Sequence, residues 1–72
     1  MTKIEFIYLL VSSNFASQYE AEQYIYPCGT NEWCFLNPVS KDHANSNENG
    51  TISFYKFDLE NQTHNKCLIN AA

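Results

Sequence analysis

The sequence contains no arginine, and only two glycines and two prolines occur among its 72 residues. Arginine is the residue best suited to forked contacts with phosphate and to bidentate contacts with guanine. Four lysines stand against eight acids, so the formal net charge of −4 would repel a polyanion. The composition therefore argues against direct nucleic-acid binding.

Long hydrophobic runs are also missing, since no segment approaches the roughly 20 apolar residues that span a bilayer. The most apolar stretch, residues 4–11, has the outline of a weak signal peptide, with Lys3 before it and Ala16 behind it. Glu5 interrupts this run, and Asn14 is unfavourable at the −3 position of a cleavage after Ala16. We therefore expect no membrane partner and interpret residues 3–11 as a first strand.

Catalytic signatures are absent as well. The sequence has no G-x-S-x-G, P-loop or G-x-G-x-x-G motif, and two glycines leave little material for a backbone phosphate cradle. Both histidines, His43 and His64, lie in polar stretches where a solvated histidine is the ordinary outcome. Glu20 and Glu22 are two residues apart on a predicted helix, so their carboxylates do not face each other. We expect no enzymatic activity and no cofactor.

Apolar and aromatic residues are plentiful by contrast: 44% of the chain is hydrophobic, with five Phe, five Tyr and one Trp. Each large aromatic side chain buries roughly 150–250 Å², which suits a chain too short to build a large core. We therefore expect one ordered domain over residues 1–72. Frequent Asn, Ile, Tyr, Phe and Lys indicate A/T-rich codons, as in many phages, mobile elements and low-GC bacteria.

A single helix is predicted to begin at Ser17. Residues 17–20 have the S-x-x-E form of a capping box, in which Ser17 and Glu20 each satisfy a backbone amide of the other. Strong helix formers follow, and Pro27 disfavours a helical backbone in the residue before it. The helix should therefore end near residue 25.

The remaining segments predict strands. Residues 33–39 are a strand candidate after a turn at residues 28–31, and residues 51–59 alternate as strands do, whereas residues 40–50 contain no large apolar group and predict an exposed loop. Asn49-Gly50 is a strong turn signal, and residues 67–69 offer one more short strand. The predicted class is α+β: one short helix packed on a small sheet of three to four strands, antiparallel or mixed, in the order β-α-β-β with an optional last strand.

Three cysteines, Cys28, Cys34 and Cys67, have three possible roles. Free cysteine is commonly a small buried hydrophobe, and Cys34 and Cys67 lie in apolar runs. A disulfide between two of them would leave an odd thiol. A zinc site with His64 is the third possibility, but the five residues between Cys28 and Cys34 exceed the usual spacing. We favour buried thiols and expect no metal.

The chain has more tyrosine, tryptophan and phenylalanine than a domain of this size can bury fully. Tyrosine and tryptophan are enriched at interface hot spots, and an acidic surround suits a basic partner. The predicted contact residues gather around the helix and the turn that follows it: Glu20, Glu22, Tyr24, Tyr26, Glu32 and Trp33.

These features favour a small acidic protein that binds another protein and does not catalyse. The leading hypothesis is an inhibitor encoded by a phage or mobile element, acting in the bacterial cytoplasm by covering a basic nucleic-acid-binding surface of a host protein. An anti-CRISPR protein is its most specific form. The alternatives are a small exported protein with one disulfide and an antitoxin or immunity protein.

Overall fold

A computed structural model describes residues 1–67 and contains two helices followed by five strands. The helices are α1 (Lys3–Ser12) and α2 (Gln18–Tyr24). The strands are β1 (Ile25–Gly29), β2 (Glu32–Leu36), β3 (His43–Ser46), β4 (Ile52–Asp58) and β5 (Thr63–Cys67). All strand pairs are antiparallel, and the spatial order equals the sequence order. The predicted α+β class is confirmed, but with one helix more than predicted and a larger sheet.

The strand predicted over residues 3–11 is wrong, because this segment is α1. A second capping box begins it: Glu5 donates its amide to Thr2 Oγ1 at 3.1 Å, and Thr2 donates its amide to Glu5 Oε1 at 3.2 Å. Phe6 and Leu10, four residues apart, are both fully buried. The apolar run is almost continuous and fits the periodicity of a strand as well as that of a helix. The capping box is therefore the local signal that favours the helix.

Helix α2 confirms the prediction made from Ser17. Glu20 donates its amide to Ser17 Oγ at 3.1 Å, and Ser17 donates its amide to Glu20 Oε1 at 3.0 Å. The backbone becomes extended at Ile25, two residues before Pro27, which then lies in the edge strand β1, where proline is tolerated. With ten and seven residues, the helices of the described chain are too short to cross a bilayer.

The exposed loop predicted over residues 40–50 is wrong in its middle, because residues 43–46 form β3. Ala44 is fully buried there, and Ser46 accepts a hydrogen bond from the backbone amide of Trp33 at 2.8 Å. Small and polar core side chains give no hydrophobic signal, which explains the error. The predicted turn is confirmed, since Gly50 adopts φ +83° and donates to Asn47 O at 3.1 Å.

The other predicted strands are shifted at their ends. Strand β2 stops at Leu36, before Pro38, and β4 matches the prediction over residues 51–59. Strand β5 lies over residues 63–67, so the predicted strand at 67–69 overlaps it only at Cys67. The rest of that prediction, Leu68 and Ile69, lies outside the described residues.

The helices cover one face of the sheet, which we call the covered face. One residue from each strand forms a row across it: Ile25, Phe35, Ala44, Phe54 and Cys67. Onto this row pack Phe6, Leu10, Phe15 and Ala21, and the rings of Phe15 and Phe54 lie 4.9 Å apart. The main hydrophobic cluster therefore lies between the helices and this face.

Candidate binding surface

The opposite side of the sheet, which we call the open face, is not covered by α1 or α2. Strand alternation and the pairing register place two rows on it. The first is Tyr26, Cys34, Asn45 and Ser53, and the second is Leu36, His43, Tyr55 and Lys66. Phe57 and His64 pair beyond the second row. A sheet face rich in rings and without a helical cover is a candidate contact surface.

Aromatic side chains stack in the second row. The ring of His43 lies parallel to that of Tyr55, with centroids 5.3 Å apart and an interplanar angle of 23°. His64 meets the edge of His43 at 6.3 Å and lies 5.0 Å from Phe57. The Nε2 atom of His64 is 2.9 Å from the carbonyl oxygen of Lys41, so these four rings form one ordered cluster.

Asp42 anchors the loop beside this cluster. Its Oδ1 atom accepts a hydrogen bond from the backbone amide of Phe57 at 3.1 Å, and its Oδ2 atom pairs with Lys56 Nζ at 3.4 Å. Burial lowers the pKa of His43, and the neighbouring His64 lowers it further. The ring of His43 is therefore uncharged around pH 7 and adds to the aromatic surface.

The six predicted contact residues do not form one patch. Glu20 is engaged within the fold, since its Oε2 atom accepts a hydrogen bond from Asn37 Nδ2 at 2.9 Å. The backbone amide and side chain of Ser17, with Asn37, hold its pKa below the ordinary value. Asn37 and Glu32 lie at opposite ends of β2, about 17 Å apart at ~3.4 Å per residue. Glu20 thus connects α2 to the loop after β2.

Two of the predicted aromatics lie against the core. Tyr24 and Trp33 are half-buried, and both pack on the hydrophobic cluster. Trp33 lies on the covered face, because it neighbours Phe35 by two positions on β2. These two side chains contribute more to packing than to the outer surface.

Tyr26 and Glu32 remain available at the β1–β2 hairpin. Tyr26 is 42% exposed on the open face, directly across from Cys34. Burial raises the pKa of its hydroxyl, and the thiols of Cys34 and Cys28 add to the rise. Glu32 also faces this group, because its charge contributes to raising the pKa of Cys34. Glu22, on α2, is exposed.

A cleft of about 550 Å³ separates the start of α1 from the β1–β2 hairpin. Its walls include Lys3 and Glu5 on one side and Pro27, Glu32 and Trp33 on the other. The carboxylates of Glu5 and Glu32 are balanced there by Lys3 and the N-terminal ammonium of Met1, and the Glu5 carboxylate is already engaged by Thr2. Glu32 therefore belongs both to the cleft and to the hairpin surface.

The cysteines and His64 of the alternative zinc site are not brought together. Cys28 and Cys34 lie on β1 and β2, whereas His64 and Cys67 lie on β5 at the other edge of the sheet. At about 4.8 Å per strand, β2 and β5 are separated by roughly 14 Å. Among residues 1–67, no three His, Cys, Asp or Glu side chains are placed to hold a metal ion.

Charge is distributed unevenly along the fold. Residues 1–40 carry one lysine and four glutamates, whereas residues 41–67 carry three lysines and four acids. The helices and the β1–β2 hairpin therefore hold most of the net negative charge. A basic partner would be attracted to this side of the molecule.

Comparison with protein-family models, with characterised proteins and with solved structures finds no match to the chain.

Sequence reasoning missed the ring cluster of the open face: His43, Tyr55, Phe57 and His64. The two histidines were assigned to solvated loops because their neighbours in sequence are polar. The alternation in residues 51–59 did place Tyr55 and Phe57 on one face. A test of residues 43–46 for pairing with that strand would have added His43, because the turn at Asn49-Gly50 sets the register.

Proposed function

We propose that this chain is a non-enzymatic protein-binding domain that inhibits a bacterial host protein by covering its basic nucleic-acid-binding surface. The observation that carries the proposal is the exposed ring of Tyr26 on the open face, on the same hairpin as Glu32; Tyr26 is paired with Cys34, and the charge of Glu32 acts on Cys34. A tyrosine and a carboxylate on one hairpin suit a basic partner surface, because the ring supplies buried area and the carboxylate supplies pairing. An anti-CRISPR protein acting on a nuclease is the most specific form of the proposal.

The charge distribution supports binding through the side of the molecule that carries the helices and the β1–β2 hairpin. The acidic helices and hairpin would steer toward a positive surface, whereas the three lysines of residues 41–67 would be directed away from it. We propose that Tyr26 and Glu32 make direct contact, and that Glu22, exposed on α2, adds to the negative charge that attracts the partner. Glu20, Tyr24 and Trp33 would hold the binding surface in place through the packing described above.

The exported alternative conflicts with the packing of α1. A leader cleaved after Ala16 would remove Phe6, Leu10 and Phe15, three of the buried core side chains. Losing even one large core side chain costs about 2–5 kcal/mol, which is comparable with the whole stability of a small domain. The packing therefore favours a domain that keeps residues 1–16.

The test is capture of a partner from bacterial lysate with the tagged chain, using CRISPR-bearing strains first, followed by competition with nucleic acid. We expect a stoichiometric complex with a nucleic-acid-binding protein that weakens from low to moderate salt and excludes the nucleic acid. A ternary complex with nucleic acid still bound, or binding insensitive to salt, would contradict the proposal.

Matched variants locate the contact. Tyr26→Ala and Glu32→Lys should each weaken the complex at least tenfold, which corresponds to about 1.4 kcal/mol. The controls are Tyr8→Ala, whose ring is 63% exposed on α1, and Glu60→Lys, in the turn between β4 and β5. Equal losses in the controls would show that overall charge or stability, and not this surface, determines binding.

A further inference from the structure

Two of the three cysteines lie on the same side of the β1–β2 hairpin. Cys34 on β2 is paired with Tyr26 on β1, and Cys28 follows Tyr26 by two residues. The Cys28 side chain is close enough to Cys34 to act on it through a side-chain hydrogen bond, so the two thiols are diagonal neighbours on this hairpin.

A β-bulge brings this diagonal pair closer than a regular ladder would. Pro27 is paired with Trp33 and Gly29 with Glu32, so three residues of β1 run beside two of β2. Cys28 is the extra residue. The bulge compresses β1 along its axis and moves Cys28 back toward the level of Cys34.

The environments of the two thiols differ in a way that suits a sequential reaction. Cys28 is exposed, whereas Cys34 is only 8% exposed. Burial raises the pKa of Cys34 to about 12, and the adjacent Cys28 thiol adds to the rise. The exposed thiol can meet a reagent from solution, and the buried thiol can reach only its neighbour.

Cys67 is separated from this pair. It lies on β5, at the opposite edge of the sheet, and its register partner Phe54 places it on the covered face. Three strand spacings, or roughly 14 Å, lie between β2 and β5. The odd cysteine is therefore outside the reach of the other two.

We propose that Cys28 and Cys34 form a redox-active pair that closes into a disulfide by exchange with a low-molecular-weight disulfide such as oxidised glutathione. The Cys28 thiolate attacks one sulfur of the reagent, forming a mixed disulfide and releasing one thiol. Cys34 then loses its proton and attacks the Cys28 sulfur, which releases the second thiol. The two cysteines are oxidised together, and one molecule of reagent is reduced to two thiols.

This pair is independent of the protein-binding proposal, because it involves only the hairpin's own side chains. Closing the bond would fix the bulge covalently beside Tyr26 and Glu32. Since the second step needs the thiolate of a group with a high pKa, its rate should rise about tenfold per pH unit from pH 7 to 9.

The experiment uses the full chain, reduced, freed of reductant and incubated with oxidised glutathione. Intact mass should fall by about 2 Da, and peptide mapping after alkylation should find Cys28 joined to Cys34 with Cys67 alkylated. The Cys67→Ala variant should behave identically, and Cys34→Ala should stop at a glutathione adduct on Cys28. A stable adduct on Cys28 of the unmodified chain, or a bond involving Cys67, would overturn the proposal.

A second measurement separates the folded geometry from mere closeness in sequence. The equilibrium constant for closing the bond against a glutathione redox series is compared in buffer and in urea, with circular dichroism confirming the folded state. The folded chain should favour the disulfide by about tenfold or more, because the hairpin has already brought the two ends together. Equal constants in both conditions would show that the fold contributes nothing, and would contradict the proposal.

Discussion

The two faces of the sheet are made by the same five strands, yet the side chains on them differ in burial. On the covered face, Phe35 and Phe54 are at most 1% exposed and pack against Phe6 and Leu10. On the open face, the neighbouring residues Leu36 and Tyr55 retain solvent contact. Adjacent residues of one strand therefore differ in role because alternation directs one inward and one outward. Stability depends mainly on the covered face, and the open face is the one we propose for partner binding.

Substitution of two neighbouring phenyl rings gives the largest expected contrast. Phe54→Ala should destabilise the domain by about 3–5 kcal/mol, because it removes a fully buried ring and leaves a cavity. Tyr55→Ala, one residue later, should cost only about 1 kcal/mol, since it removes a half-buried ring stacked on His43. Urea unfolding of both variants provides the measurement. Similar losses would mean that the open face is also a core.

Removing a helix cap should have an intermediate effect on stability. The effect should act through α1 and α2, the two helices that pack on the covered face. Thr2→Ala and Ser17→Ala each remove the side-chain acceptor of a capping box, which costs about 1 kcal/mol. Ser12→Ala, in the last turn of α1, serves as the control because its hydroxyl makes only a weak 3.4 Å contact with Leu9 O. Thermal unfolding should rank both cap variants below the control, and an equal ranking would contradict the role of the caps.

The smallest expected effect is on the pH dependence of the free energy of unfolding, and it comes from His43 on the open face. The pKa of His43 in the folded chain is lowered from its ordinary value of 6.5, by burial and then by His64. The unfolded chain therefore binds more protons than the folded chain just below that value. The stabilising contribution is complete above about pH 6.5 and is lost as the pH falls through the lowered pKa.

The His43→Phe variant isolates this contribution, because phenylalanine keeps a ring beside Tyr55 and cannot be protonated. Between pH 7 and 5, the free energy of unfolding of the variant should change less than that of the parent chain. The carboxyl groups of Glu5, Glu20 and Asp58 also have pKa values lowered from their ordinary values of 4.5, 4.5 and 3.8, so they act below the range from pH 7 to 5 and should not disturb the comparison. An unchanged slope would contradict the assignment to His43.

Part of this architecture could be predicted from the residues themselves. Three local signals each favour one backbone conformation, and the structure adopts all three. They are the capping box at Ser17, the proline at position 27 and the turn at Asn49-Gly50. The strand over residues 51–59 was equally accessible, because its alternation is clear. These signals act over a few residues and need no tertiary information.

The errors come from segments whose local signals allowed two outcomes. The apolar run of α1 fits a strand as well as a helix, and only Thr2 and Glu5 distinguish them. Strand β3 has a single apolar residue, Ala44, whose burial depends on neighbours from two other strands. The contact residues were chosen by closeness in sequence, so Tyr26 and Trp33 were grouped although they lie on opposite faces.

The sequential order of the strands also has a consequence for how the chain folds. Each strand pairs only with its neighbours in sequence, so every hairpin closes through a short loop, and such local topologies fold quickly. The two helices come first, however, and the ring that Phe15 packs against, Phe54, lies 39 positions later. During synthesis the apolar sides of α1 and α2 must wait for β4 to emerge. The newborn chain is therefore most exposed to aggregation in the interval before its fourth strand leaves the ribosome.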